Sequence, residues 1–263
     1  MSAAPYWTVQ MIPLAINPVA INPASLPNLL WWDDVASLAP QADGTAIAAI
    51  PVFPGTPTVS SGVNLKLAPE LGGSPVYRAG VMPSGAPVAD FRGNLGPSMS
   101  HQGVAFTTYA QNTNGMTLYY RWWQYPPQVG RTSVRYAFSS VSGINILGDA
   151  ITDPTFVHTF VDSGNIAPTF SGIADANLAH TMVLTIPRTG TFSAYLDGQL
   201  QGTQTSGAMP YRTDSDGRGW AIGESPGNNT IDTSYGLSAT IMYGAIHDAK
   251  TIKGVSQWLA QHR

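Results

Sequence analysis

Five of the seven residues in Tyr119-Tyr120-Arg121-Trp122-Trp123-Gln124-Tyr125 are aromatic, and an arginine sits among them. Aromatic rings stack on sugar faces and anchor protein interfaces, because they bury a large area at low entropic cost. On a strand, Tyr119, Arg121, Trp123 and Tyr125 share one face, while Tyr120, Trp122 and Gln124 share the other. One face belongs to the core. The face with Tyr119, Arg121, Trp123 and Tyr125 is the candidate ligand or interface surface, the alternative being that both faces are buried between the sheet and another segment. Of the two adjacent tryptophans, Trp123 is the expected recognition residue, because it shares its face with Arg121 and Tyr125.

Catalytic chemistry has little to work with. Glycoside hydrolysis needs two carboxylates flanking the bond, about 5–9.5 Å apart. The only glutamates are Glu70 and Glu224, and neither has an acidic residue two or four positions on. Asp33 and Asp34 are adjacent, so on a strand they face opposite sides. The five histidines, His101, His158, His180, His247 and His262, are all more than four residues apart, which excludes HExxH-type zinc spacing. There is no cysteine, hence no thiol nucleophile, and no G-x-S-x-G elbow. Arg92-Gly93-Asn94-Leu95-Gly96 carries two glycines but no βαβ context for a phosphate. Asp214-Ser215-Asp216-Gly217 is half of a calcium loop. Asp214 and Asp216 are the candidate calcium ligands, against the ordinary reading of these residue types as a turn. No cofactor is required by any of these patterns.

The elements that must position these residues are strands. Charged residues make up 10% of the 263-residue chain, against about 25% in an ordinary soluble domain. Gly and Pro number 27 and 21. Such composition excludes helical bundles and coiled coils. The formal charge of -3 with 43% apolar residues excludes charge-driven disorder and argues against a nucleic-acid partner. No apolar run reaches the ~18 residues of a membrane span. Prolines at 5, 13, 18, 23 and 27, with no basic residue before Lys66, leave no export signal of the ordinary secretory kind. Residues 1–27 are expected to form an extended arm: proline enforces extension, while Trp7, Met11, Ile12, Leu14, Ile16 and Ile21 need a surface to cover. That surface is either the arm's own domain or another chain.

Residues 28–263 then read as a single domain of twelve or more short strands with turn signals between them, the pattern of a sandwich. Candidate strands include Leu29-Leu30-Trp31-Trp32, residues 46–50, 104–109, 116–125, 134–138, 144–147, 156–161 and 180–186. Asn114-Gly115 predicts a hairpin between 104–109 and 116–125, and Asp197-Gly198 one between 191–196 and 199–203. Residues 220–223 and 238–246 complete the strands. Only 249–262 has helical period, with Ala249, Ile252, Val255, Trp258 and Leu259 at spacings of three and four.

Three segments resemble one family in the right order. His180-Thr181-Met182-Val183-Leu184 followed by Tyr195-Leu196-Asp197-Gly198-Gln199-Leu200-Gln201-Gly202 resembles the "W-H-x-V … Y-x-D-G-x-x-x-G" hairpins of laminin-G-like, concanavalin A-like domains. Ala221-Ile222-Gly223 with Leu237-Ser238-Ala239-Thr240-Ile241-Met242-Tyr243 is similar to their closing strands. Ser74-Pro75-Val76-Tyr77 with Gly85-Ala86-Pro87-Val88-Ala89-Asp90-Phe91-Arg92-Gly93 is similar to their "P-T-Y … G-x-P-x-V-x-F-x-G" stretch. Ala179 stands where these domains often carry Trp, so that core contact must come from elsewhere.

The resemblance implies an all-β, antiparallel jelly-roll sandwich with an extended N-terminal arm and a short C-terminal helix. Versions of this layout look like those of bacteriophage structural proteins, particularly minor tail proteins. The function this implies is that of a non-enzymatic virion structural protein with a carbohydrate-binding-like module, located in the virion. Its implied partners are other virion subunits reached through the arm, further copies of itself in the assembly, and a host-surface glycan. A free-standing lectin is the alternative, and a polysaccharide hydrolase the third reading, since this architecture hosts all three.

Overall fold

The structure, a computed structural model, describes residues 19–50, 68–69, 73–92, 99–102, 115–126, 135–140, 144–149, 156–161, 170–173, 177–187, 190–206, 218–222 and 235–263. They form two antiparallel sheets and one α-helix. The larger sheet has eight strands, beginning with β1 (Leu29–Asp34), β3 (Val76–Arg78), β4 (Val88–Asp90) and β6 (Gly115–Gln124). It continues with β11 (Leu178–Pro187), β12 (Gly190–Leu196), β13 (Gln199–Ser206) and β15 (Tyr235–Tyr243). Its order is β13-β12-β11-β6-β15-β4-β3, and β1 pairs with β15 beside β4. The smaller sheet contains β2 (Ala68–Pro69), β5 (Met99–Gln102), β7 (Arg135–Ser140), β8 (Ile144–Asp149), β9 (Phe156–Val161), β10 (Phe170–Ile173) and β14 (Arg218–Ile222). Its order is β10-β9-β8-β7-β14-β5-β2. This is the expected β-sandwich, closed by the expected helix α1 (Ala249–His262).

The larger sheet has two apolar faces, which explains why its central strands read as nearly continuous apolar runs rather than alternating ones. Its inner face carries Leu118, Tyr120 and Trp122 of β6 together with Met182, Leu184 and Ile186 of β11, and Met99 of the smaller sheet joins the same cluster. Its outer face carries Tyr119, Val183, Ala239, Ile241 and Tyr243, and α1 lies across these with Ile252, Val255 and Leu259. In strand β15 a bulge between Leu237 and Ala239 inserts Ser238 and changes which positions face inward. Leu237, opposite Trp122, points inward, and Ala239, opposite Arg121, points outward. A residue inserted this way resets the two-residue alternation that otherwise fixes which side chains are inside.

Asp248 caps α1, its carboxylate accepting from the Thr251 N–H at 2.7 Å. The described end of the arm packs on this helix. The Ile21 N–H donates to the Gly254 carbonyl at 3.0 Å, Ile21 and Leu26 join the outer cluster, and the Tyr243 hydroxyl donates to the Pro23 carbonyl. Residues 19–26 therefore cover their own domain. The rest of the arm lies outside the described residues.

Two strand expectations fail. Residues 46–50 form no strand, only an isolated bridge from Ala46 to Val76. Ile47 and Ile50 are both buried, and a spacing of three cannot alternate across a pleat. The Asn114-Gly115 hairpin fails as well. One edge of β6 is paired throughout with β11 and the other with β15, so no edge is left for residues 104–109, which lie outside the described residues. The Asp197-Gly198 hairpin forms as expected, with φ of 51° and 77° at the two turn residues.

Candidate functional site

The outer face of the larger sheet is covered in two pieces. Helix α1 seals one end. At the other end the segment between β3 and β4 folds over the sheet, with Val81, Met82 and Ala86 packed on Val88, Trp123 and Ala179. Between the two covers lies a cleft of about 520 Å³. The helix contributes Lys253, Ser256, Gln257 and Ala260 to one wall, and the β3–β4 segment contributes Pro83. Leu178, Ala179 and His180 of β11, Arg121 of β6 and Asp197 of the β12–β13 turn complete it.

The alternation on β6 decides where the aromatic run goes. Trp122 points into the inter-sheet core, buried and edge-on to Tyr235. Trp123 points outward and is half-buried. In the β6–β11 register Trp123 lies directly opposite Ala179. The bulk missing at Ala179 is thus supplied across the ladder by Trp123.

The four residues of the expected recognition face do not form one exposed surface. Tyr119 is fully buried under α1, its hydroxyl 2.8 Å from Nδ1 of His247. Tyr125 is also buried, and the Arg92 guanidinium lies 3.6 Å from its ring centre. Arg92 and Arg78 both pair with the buried Asp90. Burial alone would raise the Asp90 carboxyl, but hydrogen bonds from Arg92 outweigh it and hold it below its usual range. That network also occupies the Arg92 side chain. The remaining two residues of the face, Arg121 and Trp123, border the cleft and the contacts around it.

Arg121 is 3% exposed and lines the cleft. Its Nε donates to the Arg263 main-chain oxygen at 3.2 Å and its Nη1 to the Thr181 hydroxyl, also at 3.2 Å. Burial pulls its guanidinium down to about 10, with the Asp197 charge acting in the opposite direction. No Asp or Glu side chain forms an ion pair with it among the described residues. Asp197 is held by its own strand neighbour: one carboxylate oxygen accepts from the Thr181 N–H at 2.7 Å and the other lies 2.8 Å from His180 Nδ1. This is the structural turn role expected of Asp197, and it also fixes a carboxylate at the cleft.

Two polar atoms on the helix wall are buried without a hydrogen-bond partner, Ser256 Oγ and Gln257 Oε1. Sequence reasoning missed this wall. The signal was present: Lys253, Ser256, Gln257 and Ala260 follow i, i+3, i+4, i+7 spacing, a polar and small stripe beside the apolar stripe of Ile252, Val255 and Leu259.

The carboxylates brought together among the described residues, Asp43 and Asp90, are both tied to Arg78 and lie outside the cleft lining. Asp34 is buried and spends itself on the Ala36 N–H, the Ser37 hydroxyl and Arg263 Nη2 at 2.7 Å. Burial raises its carboxyl despite those partners. Glu70, Glu224 and the calcium candidates Asp214 and Asp216 lie outside the described residues. Among the described residues no group of three His, Cys, Asp or Glu side chains could hold a metal, and no helix is long and apolar enough to cross a membrane.

No protein-family model and no curated protein matches the chain. Solved structures match it in fold. The binding domain of botulinum neurotoxin DC, in complex with rat synaptotagmin II, superposes with a TM-score of 0.60 at 10% identity, over 88% of this chain and 52% of that one. This chain thus spans about half the length of that neurotoxin chain. Domain 4 of AbnA, a GH43 extracellular arabinanase from Geobacillus stearothermophilus, in complex with arabinotriose, gives a TM-score of 0.54 at 13% identity, over 88% of this chain and 98% of that one. A mutant Trypanosoma rangeli sialidase displaying trans-sialidase activity gives 0.55 at 11% identity, over 89% and 33%. At such identities the likeness is one of fold, and the class it defines is the antiparallel β-sandwich.

Proposed function

We propose that this protein is a non-catalytic, glycan-binding module that serves as a structural subunit of a virion, with the cleft beside α1 as its glycan site. The observation that carries the binding reading is the composition of that cleft. It combines small apolar walls with a buried arginine, a fixed carboxylate and two unpartnered polar atoms. Sugars present an apolar C–H face ringed by hydroxyls, and such a lining complements both parts. The fold supports the reading too, since the arabinanase domain 4 was solved with arabinotriose.

A binding role fits the acids better than a hydrolytic one. Among the described residues Asp197 is the single carboxylate at the cleft, and both of its oxygens are engaged. In most glycoside hydrolase families, hydrolysis takes two carboxyl groups with distinct protonation. The virion assignment rests on the resemblance of the layout, a leading Trp-containing strand and a short C-terminal helix around the sandwich, to that of phage structural proteins, particularly minor tail proteins. The subunit contacts are assigned to the apolar arm residues that precede the segment packed on α1.

Screening the full chain on a glycan array tests the binding role; saturable binding that an excess of the same free glycan removes is expected, and silence across the array overturns it. Mass spectrometry of purified particles tests the virion role, with absence from the particle overturning it. Reducing-end release from polysaccharides should stay at background.

A further inference from the structure

The cleft's charges and unused hydrogen-bonding atoms specify the chemistry of its ligand. Resting on the glycan-binding reading, we infer that the ligand is an acidic saccharide whose carboxylate is received by Arg121 and Lys253. Arg121 has five N–H groups in a planar fork, and two of its nitrogens donate to protein oxygens. The remaining N–H groups are without a partner among the described residues, in a residue that lines the cleft. A guanidinium fork matches the spacing of two carboxylate oxygens, and burial strengthens such a pair because little water competes. Lys253 is exposed on the helix wall of the same cleft and adds a second positive charge at its rim.

The other groups separate an acidic sugar from a simple anion. Gln257 Oε1 accepts hydrogen bonds and has no donor. Ser256 Oγ is buried, unpartnered and able to give or accept one. Asp197, half exposed on its side chain, presents a further acceptor. A fully deprotonated inorganic anion offers no donor to any of them. A sugar carboxylate brings the anion and the hydroxyl donors in one rigid ring, and its C–H face meets Leu178 and Ala179. Uronic acids and sialic acids both have this chemistry.

The test is calorimetric titration of the full chain with matched probes: a glucuronate-terminated oligosaccharide, its carboxyl-reduced counterpart, a counterpart bearing sulfate in place of the carboxylate, and 3′-sialyllactose against lactose. At least one carboxylate probe should bind about tenfold or more tightly than its neutral partner, the size expected for a charge-assisted, bidentate pair. The uronate and sialate arms identify the source of the carboxylate. Lys253→Gln, at an exposed position that should leave the fold intact, should weaken the acidic probe about three- to tenfold more than its neutral partner. Arg121→Gln should abolish the preference, with thermal melting used to confirm folding. Equal binding of acidic and neutral probes, or preference for the sulfated one, overturns this inference while the glycan-binding reading stands. Binding of none of the probes together with a silent glycan array overturns both.

Discussion

Two tryptophan pairs sit on two strands of the same sheet, and they end in different surroundings. In β1, Trp31 points into the inter-sheet core and Trp32 to the outer face. In β6, Trp122 points inward and Trp123 outward. Strand alternation treats the pairs identically. What differs is the cover. Trp32 lies under α1, fully buried, with Trp258 edge-on at 5.8 Å. Trp123 lies under the β3–β4 segment, which carries Val81, Met82 and Ala86 but no large aromatic ring, and it remains half-buried beside Ala179. A helix that lays a continuous apolar stripe on a sheet makes a dry core. A short segment covers less, and the gap between the two is the cleft. The candidate site therefore exists because the covers of the outer face do not meet.

Truncating the tryptophans is the strongest way to break this contrast. Trp122→Ala and Trp32→Ala should each cost about 3–5 kcal/mol, through lost burial and a residual cavity. That is much of the ~5–15 kcal/mol that holds a domain folded. Trp123→Ala should cost only about 1–2 kcal/mol, because part of its surface already meets solvent. Urea titration resolves the difference. Equal losses at Trp32 and Trp123 would mean that the two ends of the outer face are packed alike.

The next effect in size belongs to the turn at the edge of the cleft. Asp197→Ala removes the acceptor of the Thr181 N–H and the partner of His180. A loss of about 1–3 kcal/mol is expected, the range for hydrogen bonds to charged groups. Asp197→Asn should recover part of it, because an amide oxygen can still accept from Thr181. A variant as stable as the parent would leave Asp197 free for a role in binding alone.

A smaller effect tests the sealed end. A Cβ on Gly254 would come within 2.6 Å of Ile21 and 3.0 Å of the Val19 carbonyl. Gly254→Ala gains about 1 kcal/mol of helix propensity but must push residues 19–21 off the helix. The expected result is a net change near zero or a loss of about 1 kcal/mol, with faster proteolysis near residue 21. Unchanged proteolysis would show that the segment shifts without leaving. The same contact bears on the arm: deleting residues 2–24 removes Ile21 and Pro23 from α1 and Tyr243, and melting temperature should fall, while deleting residues 2–17 spares them.

Much of the architecture was legible in the sequence. The helix limits, the Asp197-Gly198 turn and most strands could be read because each rests on local pattern, a periodicity or a dipeptide. The 46–50 segment misled because its ladder pairing stops at the single Ala46–Val76 bridge, made by the Ile47 N–H to the Pro75 carbonyl and the Tyr77 N–H to the Thr45 carbonyl. The Asn114-Gly115 hairpin misled for a related reason: a turn signal says that the chain turns, not which strands pair across it. At the site, alternation separated Trp122 from Trp123 correctly. The spread of Tyr119, Arg121, Trp123 and Tyr125 into three environments depends on what packs over them, and sequence adjacency carries none of that. The helix wall was readable as a stripe, but only the fold places it opposite Arg121.

Acid bears on the sealed end as well. His247 lies 4.4 Å from Tyr243 between ring centres, and its Nδ1 lies 2.8 Å from the Tyr119 hydroxyl, which burial keeps protonated by raising its ionisation well above the ordinary value. Burial lowers the His247 imidazole to about 4, with Asp248 opposing. Its ordinary value is about 6.5, so on acidification the unfolded chain takes up this proton first. Stability from this site is therefore complete above about pH 6.5, declines as pH falls toward about 4, and levels off below that. With a discount for its contact with solvent, the loss is about 1–2 kcal/mol. His247→Asn keeps an acceptor for Tyr119 but cannot titrate. Subtracting the variant's melting profile from the parent's removes every other group and should leave one downward step between pH 6.5 and 4. A flat difference would show that His247 is as well solvated in the folded chain as in the unfolded one, and that the helix-covered end is wetter than its packing indicates.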